Sequence, residues 1–318
     1  MRMNAPRTRV QRRPVHGVLL LDKPLSLSSN HALQKAKWLL RAEKAGHTGT
    51  LDPLATGVLP ICFGAATKFS QLHLDADKSY EAIASLGIET TTGDAEGEVV
   101  ATKPVDFSPE QLLAVQKQFT GPIAQVPPMY SALKKDGKAL YDYARAGIEV
   151  EREARNITVH SLTLEEMEAV AGVRRLRIRV RCSKGTYIRT LAQDIGNALG
   201  CGAHLSFLRR TAIGRFHVDQ CIDLKELEDL PEAERVNRLL PVDALLDGHT
   251  TVTLAQEEAG RFLSGLRRRG DWPDCEKTAV YGESPRALLG TAHVKAGELI
   301  PGRLLSPTEI QTILESEV

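Results

Sequence analysis

One short stretch of the chain, GHTGTLDPLATG at residues 46–57, combines a single acid with residues that restrict the backbone. Asp52 is the only carboxylate in this stretch, and glycine, threonine and proline surround it. A lone carboxylate can act as a metal ligand, as a general base or as a nucleophile. By spacing alone the stretch also fits an ordinary Asp-Pro turn, so both interpretations stay open at this point.

The residues near Asp52 narrow the possible chemistry. Metal coordination needs several ligands, and His47 is the one neighbouring candidate, so we predict no metal site. Glycoside hydrolysis needs two carboxylates, and no second acid is paired with Asp52. The chain also lacks a GxSxG nucleophile elbow, and the stretch lacks the lysine of a phosphate-binding GxxxxGK[ST] loop. Because the phosphate-binding loop is missing from this stretch, phosphate transfer is disfavoured.

Other side chains that could bind or react each have a plain structural interpretation. Tyr80 lies in the alternating stretch KSYEAIASLG and fits the buried face of a strand. Arg189 fits an exposed position on a helix, and Tyr187 and Leu208 fit the hydrophobic core. The pattern of residues by itself does not assign them to a site.

Length and composition are those of an ordinary globular protein. The 318 residues allow two domains, and 42% of them are hydrophobic and 25% charged. Five widely spaced cysteines without a C-x-x-C pair indicate neither a disulfide framework nor a zinc site. No apolar run is long enough to span a bilayer and no signal-peptide pattern is present, so we expect a cytoplasmic protein without a membrane partner.

The net charge of +1 hides an uneven distribution of charged residues. All charged side chains among the first fourteen residues are positive. A second concentration of basic residues lies in RRLRIRVRCSKGTYIR and FLRR. Acidic residues concentrate in IDLKELEDLPEAE and near the C-terminus. This distribution is typical of a protein with a polyanionic partner, although scattered solvated charge explains it equally well.

The elements that must position these residues mix strands and helices in no repeating order. Strands are predicted at VHGVLLLDKP, VLPICFG, KSYEAIASLG and RLRIRVRC, the last two from strict alternation. One helix is predicted at SSNHALQKAKWLLRAE, with Ser29 or Asn30 as N-cap, and another at TYIRTLAQDIGNALG. A third has a capping box of Ser108 and Gln111. We therefore predict an α+β fold.

Shifts in composition divide the chain into segments. Residues 1–14 lack an apolar period and predict a disordered basic arm. Residues 121–147, rich in Pro, Gly, Lys and Tyr, predict an extended surface excursion with one short helix. Pro, Gly and Thr in residues 239–254 predict a linker. Beyond it, short strand-like segments and one helix predict a small β-rich module over residues 250–318.

Five long motifs occur along the chain in a fixed order. They are GVLLLDKPLSLSSNHALQKAK, GHTGTLDPLATGVLPICFG, ATKFSQLHLDADKSYEAIASLG, VPPMYSALKKDGKALYDYARAG and CSKGTYIRTLAQDIGNALGCGAHLSFLRR. Together they resemble bacterial members of the TruB family of tRNA pseudouridine synthases, densely over residues 15–216 and more thinly beyond. Thr50 stands where many members have alanine. The resemblance implies a pseudouridine synthase catalytic domain over residues 15–240, with a mixed, largely antiparallel sheet.

The resemblance implies catalytic roles for three residues. Asp52 matches the family's essential aspartate, which attacks the sugar or the base or assists elimination. Arg189 matches the arginine that pairs with this acid, and an opposite charge favours the ionised form of a carboxyl. Tyr80 matches the tyrosine that stacks on the target base.

The resemblance also implies substrate-binding residues. His47 matches a histidine that meets the disrupted T-loop, and Tyr187 and Leu208 match positions that line the uracil pocket. Lys23, in LDKP, matches a motif lysine whose role we take as structural. Residues 125–155 match a mobile thumb that closes on RNA, and residues 250–318 occupy the place of a PUA-like RNA-binding domain. The thumb would supply aromatic and cationic contacts from Tyr130, Lys134, Lys135 and Arg145.

A member of this family would isomerise uridine 55 in the T-loop of tRNA after extruding the base. The N-glycosidic bond would break and the uracil would rejoin the sugar through carbon 5. The resemblance implies no cofactor and a monomer that requires no protein partner. The alternative is an RNA chaperone that opens the tRNA elbow without chemistry; the presence of Asp52, Tyr80 and Arg189 together favours the enzyme, and both activities can coexist.

Overall fold

The computed structural model describes residues 11–316. The predicted basic arm of residues 1–14 therefore lies largely outside the described residues. Its last residues are held against the turn after the first helix, where Arg13 N donates to Arg41 O at 2.8 Å and Glu43 N donates to Arg13 O at 3.2 Å.

Strands make up most of the regular structure. Within the described residues they are β1 (Gly17–Lys23), β2 (Ala45–His47), β3 (Ala55–Phe63), β4 (Lys78–Leu86), β5 (Ile88–Thr90), β6 (Val99–Thr102), β7 (Gly121–Gln125), β8 (Lys134–Lys135), β9 (Lys138–Ala139), β10 (Arg155–Val170), β11 (Val173–Cys182), β12 (Ala203–Ile213), β13 (Phe216–His217), β14 (Ile222–Asp223), β15 (Leu239–Leu240), β16 (Thr250–Leu254), β17 (Arg268–Arg269), β18 (Cys275–Glu283), β19 (Arg286–Lys295) and β20 (Glu298–Leu304).

The helices are short and lie between the strands. In the same part of the chain they are α1 (Ser29–Leu39), α2 (Ser70–Leu74), α3 (Pro109–Gln118), α4 (Leu140–Arg145), α5 (Ile188–Ala198), α6 (Leu224–Asp229), α7 (Glu232–Arg235), α8 (Gln256–Leu263) and α9 (Pro307–Ser316). The predicted capping box at Ser108 and Gln111 begins α3. The N-cap of α1 is Ser28 rather than the predicted Ser29 or Asn30, because the Ser29 hydroxyl bonds elsewhere.

One large sheet forms the centre of the molecule. Its strand order is β14-β1-β3-β12-β4-β11-β10-β7, with β2 and β15 added at β3 and β1. Neighbours along this order are antiparallel except β1 with β14 and β3 with β12. The predicted α+β fold with a mixed, largely antiparallel sheet is confirmed.

The alternation predicted for β4 and β11 is present. Tyr80 pairs with Val180 and Ala82 with Ile178, and all four side chains are buried. They face a hydrophobic core that α1, α3 and α5 cover. β4 and β11 therefore bury one face, while the opposite face is partly buried on β4 and carries the arginines of β11.

The C-terminal residues form the predicted β-rich module. Its sheet has the order β16-β18-β19-β20-β17, parallel only between β16 and β18. The predicted linker before it is wrong in part: residues Val242–Leu246 form a 3-10 turn, in which Leu245 and Leu246 are buried. This turn packs in a second core with Val18 and Phe69 on one side and Ala279 and Leu305 on the other. Proline and glycine indicate where the chain can turn. Whether such a segment is buried depends on residues far away in the sequence that pack against it.

Candidate active site

The loop between β2 and β3, which carries Asp52, is held by neighbouring elements. At the start of α1, Ser29 Oγ accepts from Leu51 N at 2.7 Å and donates to Leu51 O at 2.9 Å. Ala55 N donates to Asp52 O at 3.0 Å and closes a turn. Gly57 has a φ of +103°, and a Cβ there would lie 2.1 Å from Arg210 O, so the chain needs glycine at this close approach.

Lys23, at the end of β1, supports the same loop from below. Its ammonium donates to Pro24 O at 2.9 Å, to Leu27 O at 2.5 Å and to Pro53 O at 3.5 Å. The side chain is fully buried. Burial lowers the pKa of Lys23 to about 8, and the charge of Asp52 opposes this shift. The geometry is that of a support for the residue after Asp52.

Arg189, in the first turn of α5, brings two carboxylates together. One terminal nitrogen lies 2.9 Å from Asp52 Oδ2, and the other lies 3.6 Å from Asp94 Oδ2. The same guanidinium donates to Thr92 O at 3.0 Å and to Tyr130 O at 2.6 Å. The Arg189 side chain is 5% exposed, whereas that of Asp52 is 41% exposed. A buried cation thus fixes a carboxylate that solvent and substrate can reach.

A cavity of about 330 Å³ opens beside Asp52. Tyr80, Tyr187 and Leu208 line it, and so does Arg210. Burial raises the pKa of Tyr80 and of Tyr187, so both remain neutral phenols at physiological pH. The cavity offers aromatic and aliphatic walls next to the Asp52 side chain. It can accept a flat, uncharged ring and present a nucleophile or base to whatever the ring is attached to.

The structure brings five of the six predicted site residues together. Asp52, Tyr80, Tyr187, Arg189 and Leu208 all line this cavity. His47 does not: it ends β2, before the loop, and is half-buried. Its Nδ1 has no hydrogen-bond partner within residues 11–316, and burial lowers its pKa, with a smaller contribution from Arg210.

Sequence reasoning missed three residues of the site. Asp94 is buried, and its Oδ1 accepts from Thr92 Oγ1 at 2.5 Å and from Glu96 N at 3.1 Å while Oδ2 faces Arg189. Its signal, TTGDAEG, reads only as a turn. Ser131 lines the cavity with a buried hydroxyl, and Arg210 lies at its floor. In the sequence LRR, nothing distinguishes the buried Arg210 from the preceding residue, Arg209.

Residues 125–155, the predicted thumb, begin at one wall of the cavity. The Gln125 side chain donates to Tyr187 O at 3.1 Å and accepts from Tyr187 N at 2.8 Å. Further out lie the hairpin of β8 and β9 and the short helix α4. α4 corresponds to the one short helix predicted for this segment. The cations of this segment are exposed except for Arg152, and two stack on tyrosines: Lys138 on Tyr143 at 4.7 Å and Arg145 on Tyr141 at 5.4 Å.

Three arginines of β11, Arg177, Arg179 and Arg181, form a stripe along the strand, and each has an acidic partner. Arg179 lies 2.8 Å from Glu165, Arg181 lies 2.8 Å from Asp77, and Arg177 lies between Glu81 and Glu165 at 3.4 and 3.7 Å. The partners stand on neighbouring strands and loops. The stripe is therefore a ladder of ion pairs, and it contributes little to the basic surface that the sequence suggested.

Two general features concern the described residues only. No group of three or more His, Cys, Asp or Glu side chains in residues 11–316 is arranged to hold a metal ion. Each helix in this range is too short or too polar to span a lipid bilayer.

Comparison with known proteins agrees with this fold. Residues 37–188 match the TruB family pseudouridylate synthase N-terminal domain, and residues 189–247 match the tRNA pseudouridylate synthase B C-terminal domain. The chain is 65% identical to tRNA pseudouridine synthase B of Verminephrobacter eiseniae, over 98% of this chain and 96% of that protein. It is 57% identical to tRNA pseudouridine synthase B of Cupriavidus metallidurans, over 93% and 96%.

A solved structure has the same architecture. The crystal structure of a Cbf5-Nop10-Gar1 complex superposes with a TM-score of 0.69 at 27% identity, over 93% of this chain and 86% of that chain. The fold and the matches define a pseudouridylate synthase, a class of isomerases. The chain belongs to the TruB family, and the resemblance drawn from its motifs is confirmed. Residues 248–318 lie outside both matched ranges, so the PUA-like assignment stays a prediction.

Proposed function

We propose that this protein converts uridine 55 in the T-loop of tRNA to pseudouridine. The observation that carries the proposal is a reachable carboxylate, Asp52, held 2.9 Å from a buried Arg189 at the edge of a cavity with Tyr80 and Tyr187 in its walls. Stacking of a base on an aromatic ring contributes about 1–3 kcal/mol. The relatives named tRNA pseudouridine synthase B support tRNA as the substrate.

In this reaction Asp52 acts on the nucleoside whose base lies in the cavity. The bond between N1 and C1′ breaks, and its electron pair goes to the uracil. The base turns, C5 bonds to C1′, the C5 proton leaves and N1 gains a proton. Every atom and electron is conserved, so the isomerisation consumes no oxidant, reductant or cosubstrate. Arg189 pairs with the Asp52 carboxylate at 2.9 Å and keeps it aimed at the sugar.

Access to the base requires its extrusion from the folded T-loop, at a cost of a few kcal/mol. The exposed cations and tyrosines of residues 125–155 support a role of this segment as the thumb that closes on the RNA backbone. His47 lies close to the catalytic loop, where it can meet the loop that the base has left. The C-terminal module, PUA-like in this proposal, adds contacts to the rest of the tRNA.

The test uses purified protein and a T-arm stem-loop that carries [5-³H]uridine at the target position. Because the C5 proton is lost in the isomerisation, tritium should appear in water at the same rate as pseudouridine appears in the RNA. An RNA with cytidine at the target position is the control. Tritium release without pseudouridine, or neither, contradicts the proposal.

We predict that Asp52→Asn abolishes turnover and leaves RNA affinity within a few fold, because the amide keeps the shape and loses the nucleophile. Single-turnover tritium release and a filter-binding isotherm measure the two effects. Activity above a tenth of the wild-type rate would remove Asp52 from the chemistry. The same variant separates a chaperone role from catalysis, since tRNA refolding assisted by Asp52→Asn needs only the thumb and the binding surface.

A further inference from the structure

Among residues 11–316, Arg210 is the largest fully buried side chain, with 1% of its surface exposed. Two other arginines are paired with acids: Arg189, which also lines the cavity, with Asp52, and the preceding residue Arg209 with Asp22 at 2.5 Å. Arg210 has no ion-pair partner within residues 11–316. Burying an uncompensated charge is unfavourable, so the arrangement needs either a strong structural reason or a function.

Neutral groups surround the Arg210 guanidinium. Its Nε donates to Val58 O at 2.7 Å, and a terminal nitrogen donates to Gly49 O at 3.4 Å. Tyr80 and Arg210 are register partners of β4 and β12, so their side chains lie next to each other on the same face of the sheet. Burial lowers the pKa of Arg210, and the nearby Tyr80 hydroxyl opposes this shift. Both side chains line the cavity. The positive charge therefore reaches the cavity beside the ring of Tyr80.

On the Asp52 side of the cavity, the acidic side chains outnumber the arginine that they face. There Arg189 sets one positive charge against the two carboxylates of Asp52 and Asp94. In the proposed reaction the uracil leaves C1′ with the electron pair of the broken bond and becomes negative. Positive potential placed where charge develops lowers the barrier, and it acts most strongly in a site that excludes water.

We propose that Arg210 is a positioning residue which, through the Tyr80 hydroxyl, stabilises the negative charge on uracil while the bond between N1 and C1′ is broken. The electron pair of that bond spreads over the ring. C5 then bonds to C1′, its proton leaves and N1 is protonated, so the product ring is neutral. Arg210 itself exchanges no proton and no electrons. This inference rests on the proposed function.

The test compares two target nucleosides in the same T-arm stem-loop, uridine and 5-fluorouridine. Fluorine withdraws electrons, so the 5-fluorouracil anion needs less stabilisation by the protein. The single-turnover loss of the target nucleoside is measured at saturating protein. We expect Arg210→Gln to slow uridine by about a hundredfold, as for the removal of one charge-stabilising donor, and to slow 5-fluorouridine by at least about tenfold less. Arg210→Lys should recover part of both rates.

Three controls separate this role from a structural one. Arg209→Gln removes the neighbouring arginine and should leave the ratio of the two substrates at the wild-type value. Tyr80→Phe keeps the guanidinium and the ring but loses the hydroxyl. Like Arg210→Gln, it should slow the reaction of uridine more than that of 5-fluorouridine. The double variant Tyr80→Phe/Arg210→Gln should be only slightly slower than Arg210→Gln, because in this proposal both side chains stabilise the same charge. If Arg210→Gln does not fold, Tyr80→Phe alone carries the comparison.

Equal losses on both substrates would mean that Arg210 only braces Gly49 and Val58, and would overturn the inference. So would a large loss of RNA affinity with a normal saturated rate, which would make Arg210 a phosphate contact. Failure of the proposed function has a different signature, because the wild-type protein would then form no pseudouridine from the uridine stem-loop.

Discussion

At the scale of single residues, the site is organised around a buried cation with two unlike acids. Arg189 and Asp94 are each 5% exposed at the side chain, whereas the Asp52 side chain is 41% exposed. Charge repulsion and burial act on the surroundings as well: burial raises the pKa of Glu96, and the charges of Asp94 and Asp52 add to that shift. Asp94 holds Arg189 in the interior, and Arg189 in turn holds Asp52 at the cavity.

We predict that Arg189→Met lowers both the rate and the stability of the protein. The chemistry loses the cation beside Asp52, and Asp94 is left buried without its cation, which costs roughly 3 kcal/mol or more. Asp52→Asn, at an exposed carboxylate, should leave the stability nearly unchanged. Urea unfolding gives the free energies, and Arg189→Met/Asp94→Asn should regain part of the lost stability. An equally stable Arg189→Met would show that the Asp94 pair contributes nothing.

Lys23 should give the folding free energy a pH dependence of known sign. Its pKa is about 8 in the folded protein and 10.5 ordinarily, so between these values the unfolded chain holds a proton that the folded chain has released. The contribution of Lys23 to stability is therefore lowest below pH 8 and rises as the pH approaches 10.5. The free energy of unfolding of the wild type minus that of Lys23→Met should increase from pH 7.5 to pH 10. A flat or falling difference would contradict the assignment.

At the scale of elements, two basic segments differ in what they leave available to RNA. The stripe on β11 is compensated strand by strand, with Glu165 opposite Arg177 in the register and 2.8 Å from Arg179. The thumb presents Lys134 and Arg145 on its exposed surface. In the proposed complex, phosphate groups would therefore meet Lys134 and Arg145, which have no acidic partner within residues 11–316, rather than the paired arginines of the sheet.

We predict that the two segments affect the salt dependence of RNA binding differently. Each phosphate contact adds roughly 0.7 to the slope of log affinity against log salt for looped or single-stranded RNA. Lys134→Ala/Lys135→Ala should reduce the slope by about 1 unit or slightly more, while Arg179→Ala, the matched control on β11, should leave it unchanged. Fluorescence anisotropy with a T-arm stem-loop between low and moderate salt measures both. Equal slopes for all three proteins would exclude thumb contacts with phosphate.

At the scale of the whole molecule, the C-terminal module is fastened to the large sheet rather than tethered to it. The second core joins Val18, Phe69 and Leu245 to Ala279 and Leu305 of the module region. Lys68 adds a clamp, donating to Leu304 O at 2.9 Å and to Glu309 at 2.6 Å. Removing the module would expose apolar surface on the part that remains.

Deletion of residues 249–318 should consequently lower stability while the chemistry survives. Each large apolar side chain that returns to water costs roughly 1.5–3 kcal/mol, so the melting temperature should fall by about ten degrees or more. The cavity residues all precede residue 249, and uniform binding by the module affects the Michaelis constant rather than the maximal rate. Below its melting temperature, the shortened protein should process a short T-arm hairpin at a near-normal single-turnover rate. A folded but inactive protein would place part of the module in the site.

The sequence by itself determined the features that local periodicity and motifs encode. Alternation in KSYEAIASLG and RLRIRVRC gave the buried faces of β4 and β11, and Ser108 with Gln111 gave the start of α3. The motif series identified the family. These features depend on residues a few positions apart, where backbone geometry alone relates one side chain to the next.

Only the tertiary structure decided which charges meet. Asp94 reaches Arg189 across 95 positions of sequence, and Glu165 neutralises the β11 stripe through the strand β10, which had no clear sequence signal. On β12 a register shift follows Arg210, so simple alternation could not tell that Arg210 is buried while Arg209 pairs with Asp22. Burial and charge pairing depend on strand order and register in the sheet, and these are set by the packing of the whole chain.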